Sequence, residues 1–563
     1  MSPSQPSAEA SEILLLEALD QDPGQIHLWN QLGALLQSSG RLGDAVQAHR
    51  QAAERDPLDV CSRTELGHLH RMMSFPEEAI HWYGEAVALD PRDLNLQLNH
   101  RIVLPIIPES NAQILNLRQR SIEGLDALLA DRGEMRIGRH SMINQLKSMV
   151  YHNRDDRPVL ERYGRLIQRH LPRNPQLENW IPSRRGRPRI GMLSGFFCGH
   201  SNALAFEGLI RNLDRSAFEL IVIHLPTSKR DPVGERIDAC ADQTLTLCDN
   251  LNDLRHQLLA LNLDLLFYPD IGMHPLPTLL ACSRLAPVQA TGWGFPQTTG
   301  LPCLDYYLSS DLLEPDHAQD HYSETLVRLP GLPCCYLSED LPNLRRGRDY
   351  FFLPADVPLL GCLQDLQKLH PDFDPILEQI ALRVPEALFV LIEAGISSHT
   401  QIYLNRVTET APTFAKRLLL LSRMSREDYI ALAAEMDLLL DPLHFSSGVT
   451  LYDTLHTGTP IVALEGGYLR SRVPAGAYRL IGLQDPPVVS TPEAYVEKVV
   501  ALLADPEGLQ ALRQQIADLA RRHLYDRVEV VRGFEAFAAD AIEQAALHGV
   551  RQPPEAAEEV SRT

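Results

Sequence analysis

Positive charge is in short supply in this chain of 563 residues. It has 52 Lys and Arg against 73 Asp and Glu, a formal net charge of −21. A surface that acidic has no general attraction for phosphate backbones or anionic lipid, so no nucleic-acid partner is expected. The local exception, Arg184, Arg185, Arg187 and Arg189, reads as a solvated linker at a domain edge. No apolar run reaches the roughly 18 residues of a membrane span. The opening MSPSQPSAEASE has neither a basic n-region nor an apolar h-region. A cytoplasmic location without membrane insertion is the expectation. Cysteine is scarce and odd in number, nine in all, with no Cys-x-x-Cys pair. That favours reduced thiols over a disulfide framework or a zinc site. No His/Cys cluster stands at ligand spacing, so no metal ligands are expected. A Gly-x-Gly-x-x-Gly after a strand and a Walker lysine motif are both missing, which disfavours a nicotinamide or flavin dehydrogenase and a P-loop enzyme.

What is present begins with repetition. Trp29, Leu32, Gly33, Gly40, Ala45, Ala52 and Pro57 fall on the tetratricopeptide pattern. Thirty-four residues on, Leu66, Gly67, Ala79, Tyr83, Ala86 and Pro91 fall on it again, with Ser74 in place of the turn glycine. Ala18 and Pro23 close a preceding half-repeat. Small residues where paired helices touch, and a proline ending the second helix, suit that architecture. Residues 1–92 are therefore assigned to tetratricopeptide repeats and 93–187 to a helical connector. In the connector Ile114, Leu115, Leu117, Ile122, Leu125 and Leu128 keep a helical spacing. Pro172 to Pro188 reads as the linker.

After Pro188 the texture changes. RIGMLS, FELIVIHLP and LDLLFYP are short apolar runs separated by amphipathic stretches, and the pattern restarts near Val357 with VPLLGCLQ, ALFVLIEAG, RLLLLS and MDLLLDP. This alternation predicts two doubly wound, Rossmann-like α/β domains, 188–345 and 346–548, followed by a disordered tail at 549–563. Ligands of such sheets bind outside the carboxyl strand ends. The last helical run, Asp526 to Ala546, is long enough to pack back across both.

The chemistry should lie at those ends. DPLHFSSGVTLYDTLHTGTPIVAL, Asp441 to Leu464, reads as a buried strand, a loop of small residues and a helix from about Gly448. A helix start of that kind is suited to a diphosphate. Asp453, on the same helix, is placed to accept from a ribose. Lys368, in the loop after the first strand of the second sheet, supplies a point charge for a leaving phosphate. His200 and His274 follow strands of the first sheet, and either could deprotonate an acceptor near neutral pH. Asp270 is a weaker base candidate or an orienting partner. Arg284 to Gly300 holds a loop crowded with Gly, Pro and Thr, which lets backbone approach a ligand.

In this order and spacing the residues resemble the catalytic part of the O-linked N-acetylglucosamine transferase/SPINDLY family, over Pro188 to about His548. RIGMLSGFFCGH puts His200 on the family's histidine. APVQATGWGFPQTTG, with DYYLSSD and YSE, resembles a second block. QDLQKLHP puts Lys368 on the phosphate-binding lysine. DPLHFSSGVTLYDTLHTGTPIV, with SRV at Ser471–Val473, puts Thr450 and Asp453 on nucleotide contacts. FYPDIGMHP also resembles the bacterial cytoplasmic N-glucosyltransferases, where His274 would be the base position. The resemblance implies a GT-B fold behind tetratricopeptide repeats. It also implies inverting, metal-independent transfer of a sugar from UDP-GlcNAc or UDP-Glc to a protein side chain, Ser/Thr or alternatively Asn. The acceptor protein would be held by the repeats and the cleft. Animal members carry His-Thr-Thr where this chain has Gly448, Val449 and Thr450, and Asn where Gln364 stands. A phosphate grip here must then be through backbone at Val449. That departure motivates the rival expectation of a repeat-based scaffold with a weak sugar-nucleotide domain.

Overall fold

The computed structural model describes residues 8–137, 145–171, 186–248, 251–342 and 345–551. Most of the expected linker, including Arg184 and Arg185, and nearly all of the expected tail lie outside these residues. The chain separates into two compact units, Met1–Ser148 with Ala394–Arg406, and Met149–Glu393 with Val407–Thr563.

The first unit is helical. Ile26–Ser38 pairs with Leu42–Arg55, and Val60–Met72 with Pro76–Leu89. The repeat's small residues have a physical cause. A Cβ at Gly33 would meet the His49 ring at 2.3 Å, and one at Gly67 the Tyr83 ring at 2.5 Å. Both interhelical turns need a left-handed residue, Gly40 (φ 77°) in one and Ser74 (φ 65°) in the other. Ser74 is compensated: its Oγ accepts the N–H groups of Ile106 at 3.0 Å and Ile107 at 2.9 Å. Helices Leu94–Arg101 and Asn111–Ala130 follow. Ile114, Leu117, Leu125 and Leu128 are buried there, but Leu115 is exposed.

The second unit holds two parallel sheets. The first comprises β1 (Arg189–Ser194), β2 (Glu219–His224), β3 (Gln243–Thr246), β4 (Leu265–Tyr268), β5 (Val288–Gly292), β6 (Tyr306–Ser310) and β7 (Thr325–Leu329) in the order β3-β2-β1-β4-β5-β6-β7. The second comprises β8 (Leu359–Gly361), β9 (Leu388–Ile392), β10 (Leu418–Leu421), β11 (Leu438–Leu440), β12 (Ile461–Leu464) and β13 (Val488–Val489) in the order β10-β9-β8-β11-β12-β13. Strands covered on both faces carry near-continuous apolar runs, as β2, β4 and β9 do here. Strand order reverses between β1 and β4, and again between β8 and β11. The loops after these four strands open at the two switch points, where doubly wound sheets bind ligands. The last helix, Val528–His548, returns to the first sheet, with the Phe534 ring edge-on to Phe267 at 5.5 Å.

Candidate active site

A cavity of about 560 Å³ lies between the two sheets, walled by the first sheet's 198–201 loop and by Gln364, Asp365, Arg426, Thr450 and Asp453 of the second. It is of ordinary size for a small-molecule site.

The second-sheet wall is built from two strand-end loops. After β8 the chain makes a short turn, Leu366–Lys368, which Asp365 caps by accepting the Gln367 N–H. After β11, Asp441 is buried and accepts the Ser447 N–H at 2.8 Å. The helix that follows is short, Val449–Leu455. Gly448 precedes it, and no side chain caps it. Lys368 Nζ donates to Gln364 Oε1 at 2.7 Å and to the Ser446 carbonyl at 3.2 Å. Gln364 Nε2 in turn donates to Thr450 Oγ1 at 3.1 Å. The ammonium has no acceptor lone pair, so it fixes which end of the Gln364 amide faces Thr450. Burial pushes the Lys368 pKa down, with Asp441 and Asp365 opposing. The lysine thus stands one side chain behind the cavity wall, among Gln364, Ser446 and the Phe445 ring 4.9 Å away. Lys368 itself does not line the cavity.

Asp453 lines the cavity. Its carboxylate is already held: Oδ1 accepts from Tyr336 Oη at 2.7 Å and Arg426 Nη2 at 2.6 Å, and Oδ2 accepts from Arg426 Nε at 3.3 Å. Arg426 Nη2 also donates to Tyr336 Oη at 2.7 Å, closing a triangle. Burial opposes the Arg426 charge, but the bonds to Asp453 and Tyr336 outweigh it and hold the guanidinium pKa above its usual value. A carboxylate offers about four lone-pair sites, so Asp453 can still share a hydroxyl. Sequence reasoning missed Arg426. Its only signal was a place beside a capping Ser425 at the start of helix Arg426–Glu435, after β10.

On the first sheet, His200 lines the cavity and His274 does not. Both do the same structural job. His200 caps helix Ser201–Asn212 by accepting the Asn202 N–H at Nδ1, 3.1 Å, and His274 caps Pro275–Ala281 by accepting the Leu276 N–H at Nδ1, 3.1 Å. A neutral imidazole carries one proton, so each ring in this arrangement has it on Nε2. Each presents a donor, not a base, while its cap holds. The Phe196 ring stacks on His200 at 4.5 Å and meets His274 edge-on at 6.3 Å. Burial lowers the His274 pKa. Asp270 is fully buried, and burial raises its pKa to about 7 against hydrogen bonds from Gly195 N and Ser194 Oγ.

The Arg284–Gly300 segment lies elsewhere. None of its residues lines the cavity. Thr298 and Thr299 are buried against Glu324, which accepts from Thr298 Oγ1 at 2.7 Å and Thr299 N at 2.8 Å, and Arg284 is paired with Asp305 at 2.5 and 2.9 Å. Thr298 and Thr299 thus sit in a buried turn.

Residues 338–529 match the family model described as glycosyl transferase family 41. The Petunia hybrida protein named probable UDP-N-acetylglucosamine–peptide N-acetylglucosaminyltransferase SPINDLY is 26% identical over 261 residues, 46% of this chain and 28% of that one. The UDP-glucose:protein N-beta-glucosyltransferase of Actinobacillus pleuropneumoniae serotype 5b (strain L20) is 26% identical over 267 residues, 45% of this chain and 40% of that one. The aligned part is thus well under half of the curated relatives' length. A solved O-GlcNAc transferase mutant from Thermobaculum terrenum shares the fold, with a TM-score of 0.71 at 24% identity over 96% of this chain and 95% of that one. Among the described residues no helix is long and apolar enough to cross a membrane.

Proposed function

We propose that this chain is an inverting, metal-independent protein glycosyltransferase that moves a sugar, N-acetylglucosamine in the first instance, from a UDP-sugar to Ser or Thr side chains. The observation that carries this reading is the cavity at the carboxyl ends of both sheets, with Gln364 and Thr450 on one wall and His200 on the other. The relatives' names, which join a nucleotide sugar to a protein acceptor, point the same way. In the reaction, an acceptor hydroxyl attacks the anomeric carbon, the bond from that carbon to the diphosphate oxygen breaks, and configuration inverts. Negative charge grows on the departing diphosphate. Lys368 uses two of its three donors on Gln364 and Ser446; the third, with the Gly448–Thr450 backbone, stabilises that charge where other enzymes use a cation. Asp453 and Arg426 orient the ribose. His200 donates Nε2–H to the bound substrate; for His200 or His274 to take the acceptor proton, the ring must first give up its cap. The repeats hold the acceptor protein, whose extended peptide suits such a surface.

A preorganised donor of this kind is worth roughly 3 kcal/mol, so Lys368→Ala should cut transfer about a hundredfold or more with the fold intact. Near-normal turnover would remove Lys368 from the mechanism. Mass spectrometry of proteins incubated with the chain and UDP-GlcNAc or UDP-Glc reads donor, acceptor residue and linkage together. Asn modification would favour the second reading, an N-glucosyltransferase, which the FYPDIGMHP match supports. No transfer, and no nucleotide binding by calorimetry, would leave a repeat-based scaffold.

A further inference from the structure

Away from the cavity, the loops after β8 and β11 meet a second time. His370 caps the turn Pro371–Phe373, which contains Asp372; His444 comes from the other loop, 72 residues beyond Asp372. Asp372 Oδ2 lies 2.8 Å from His444 Nε2 and 3.2 Å from His370 Nδ1. The two imidazoles cross at 77° with centroids 4.7 Å apart, and one donor atom from each of the three residues falls within 4.8 Å of the other two. Sequence spacing held no sign of this cluster, since only the fold joins its parts.

His370 Nδ1 takes the Asp372 N–H at 3.2 Å, a long bond that an ion held by that nitrogen would displace. His370 is 4% exposed, and its Nε2 is buried without a partner among the described residues. Asp372, at 43% side-chain exposure, marks the side from which an ion would enter.

We propose that His370, Asp372 and His444 form a binding site for a divalent cation of the zinc class. Two imidazoles and one carboxylate, with a fourth position left to water, suit zinc over the oxygen-seeking magnesium and calcium. The ion would tie the two loops that carry the lysine contact: Lys368 is two residues before His370, and the Ser446 carbonyl that it grips is two residues after His444. The site takes no part in bond breaking, and it stands whether or not the transfer reading does.

The test uses the full chain, stripped of metal with a chelator, dialysed, and titrated with Co²⁺ by absorbance and Zn²⁺ by calorimetry. Saturation at one equivalent is expected, with the visible bands of a four-coordinate cobalt ion and no thiolate charge-transfer band. His444→Gln and Asp372→Asn, each checked for fold by circular dichroism, should weaken binding at least roughly tenfold. Should His444→Gln fail to fold, the more exposed Asp372→Asn carries the test alone. Absence of saturable binding, affinity unchanged in the folded variants, or a thiolate band that assigns the metal to cysteine would each overturn the proposal.

Discussion

Asp270 is a fully buried carboxyl group, and burial sets its behaviour. Its pKa near 7 in the fold, against an ordinary 3.8, means that the folded state keeps a proton which the unfolded chain releases. This group therefore favours the fold at low pH, and that advantage is lost as pH rises from about 4 through 7. The gap is worth roughly 4 kcal/mol at full expression. Asp270→Asn, which cannot ionise, should flatten that part of the stability curve; denaturant titrations at pH 5 and pH 8 on both proteins would show it. His200 invites a cleaner separation. Asn is a good helix cap, so His200→Asn should keep stability within about 1 kcal/mol while removing the imidazole that lines the cavity. A fall in transfer with an unchanged melting temperature would mark the ring itself as used. His200 was singled out by its place after a strand, and Gln364 and Thr450 by the resemblance; all three line the cavity. Arg426 was not, because an arginine at a helix start looks like any surface charge until the fold closes it onto Asp453.

At the scale of the element, the strands and the helix start at Gly448 could be read from apolar runs and small-residue loops. The role of Arg284–Gly300 could not: the same Gly, Pro and Thr content serves an open ligand loop or a buried turn. The bonds that bury Thr298 and Thr299 run to Glu324, 25 and 26 residues away in the chain. The repeat turns are the opposite case, since position 74 was marked by its departure from glycine. Ser74 is held at φ 65° by what its hydroxyl does for Ile106 and Ile107. Ser74→Ala keeps the left-handed strain and leaves two N–H groups without their acceptor. It should cost roughly 2 kcal/mol or more. Ser74→Gly removes the strain alone and should recover about 1 kcal/mol of that. Chemical denaturation of the three proteins would rank them wild type, Gly, Ala. An Ala variant as stable as wild type would show that the hydroxyl contributes nothing.

Across the whole α/β unit, the two sheets are separate in sequence but not in packing. Tyr336, on the segment between β7 and β8, bonds to Asp453 beyond β11, and the chain ends by sending Val528–His548 back to the first sheet. The length of that last helix was visible in the sequence, but which sheet it covers was not, because amphipathic spacing identifies a face and says nothing of its partner. Phe534 is fully buried there, edge-on to Phe267 of β4, although it follows the second sheet in the chain. Truncating a buried aromatic typically costs roughly 3 to 5 kcal/mol. If the helix belongs energetically to the first sheet, Phe534→Ala should speed native-state hydrogen exchange most in β4 and β5 and least in β9 and β10. Equal acceleration in both sheets would mean that the unit opens as one cooperative body; acceleration confined to the second sheet would contradict the packing.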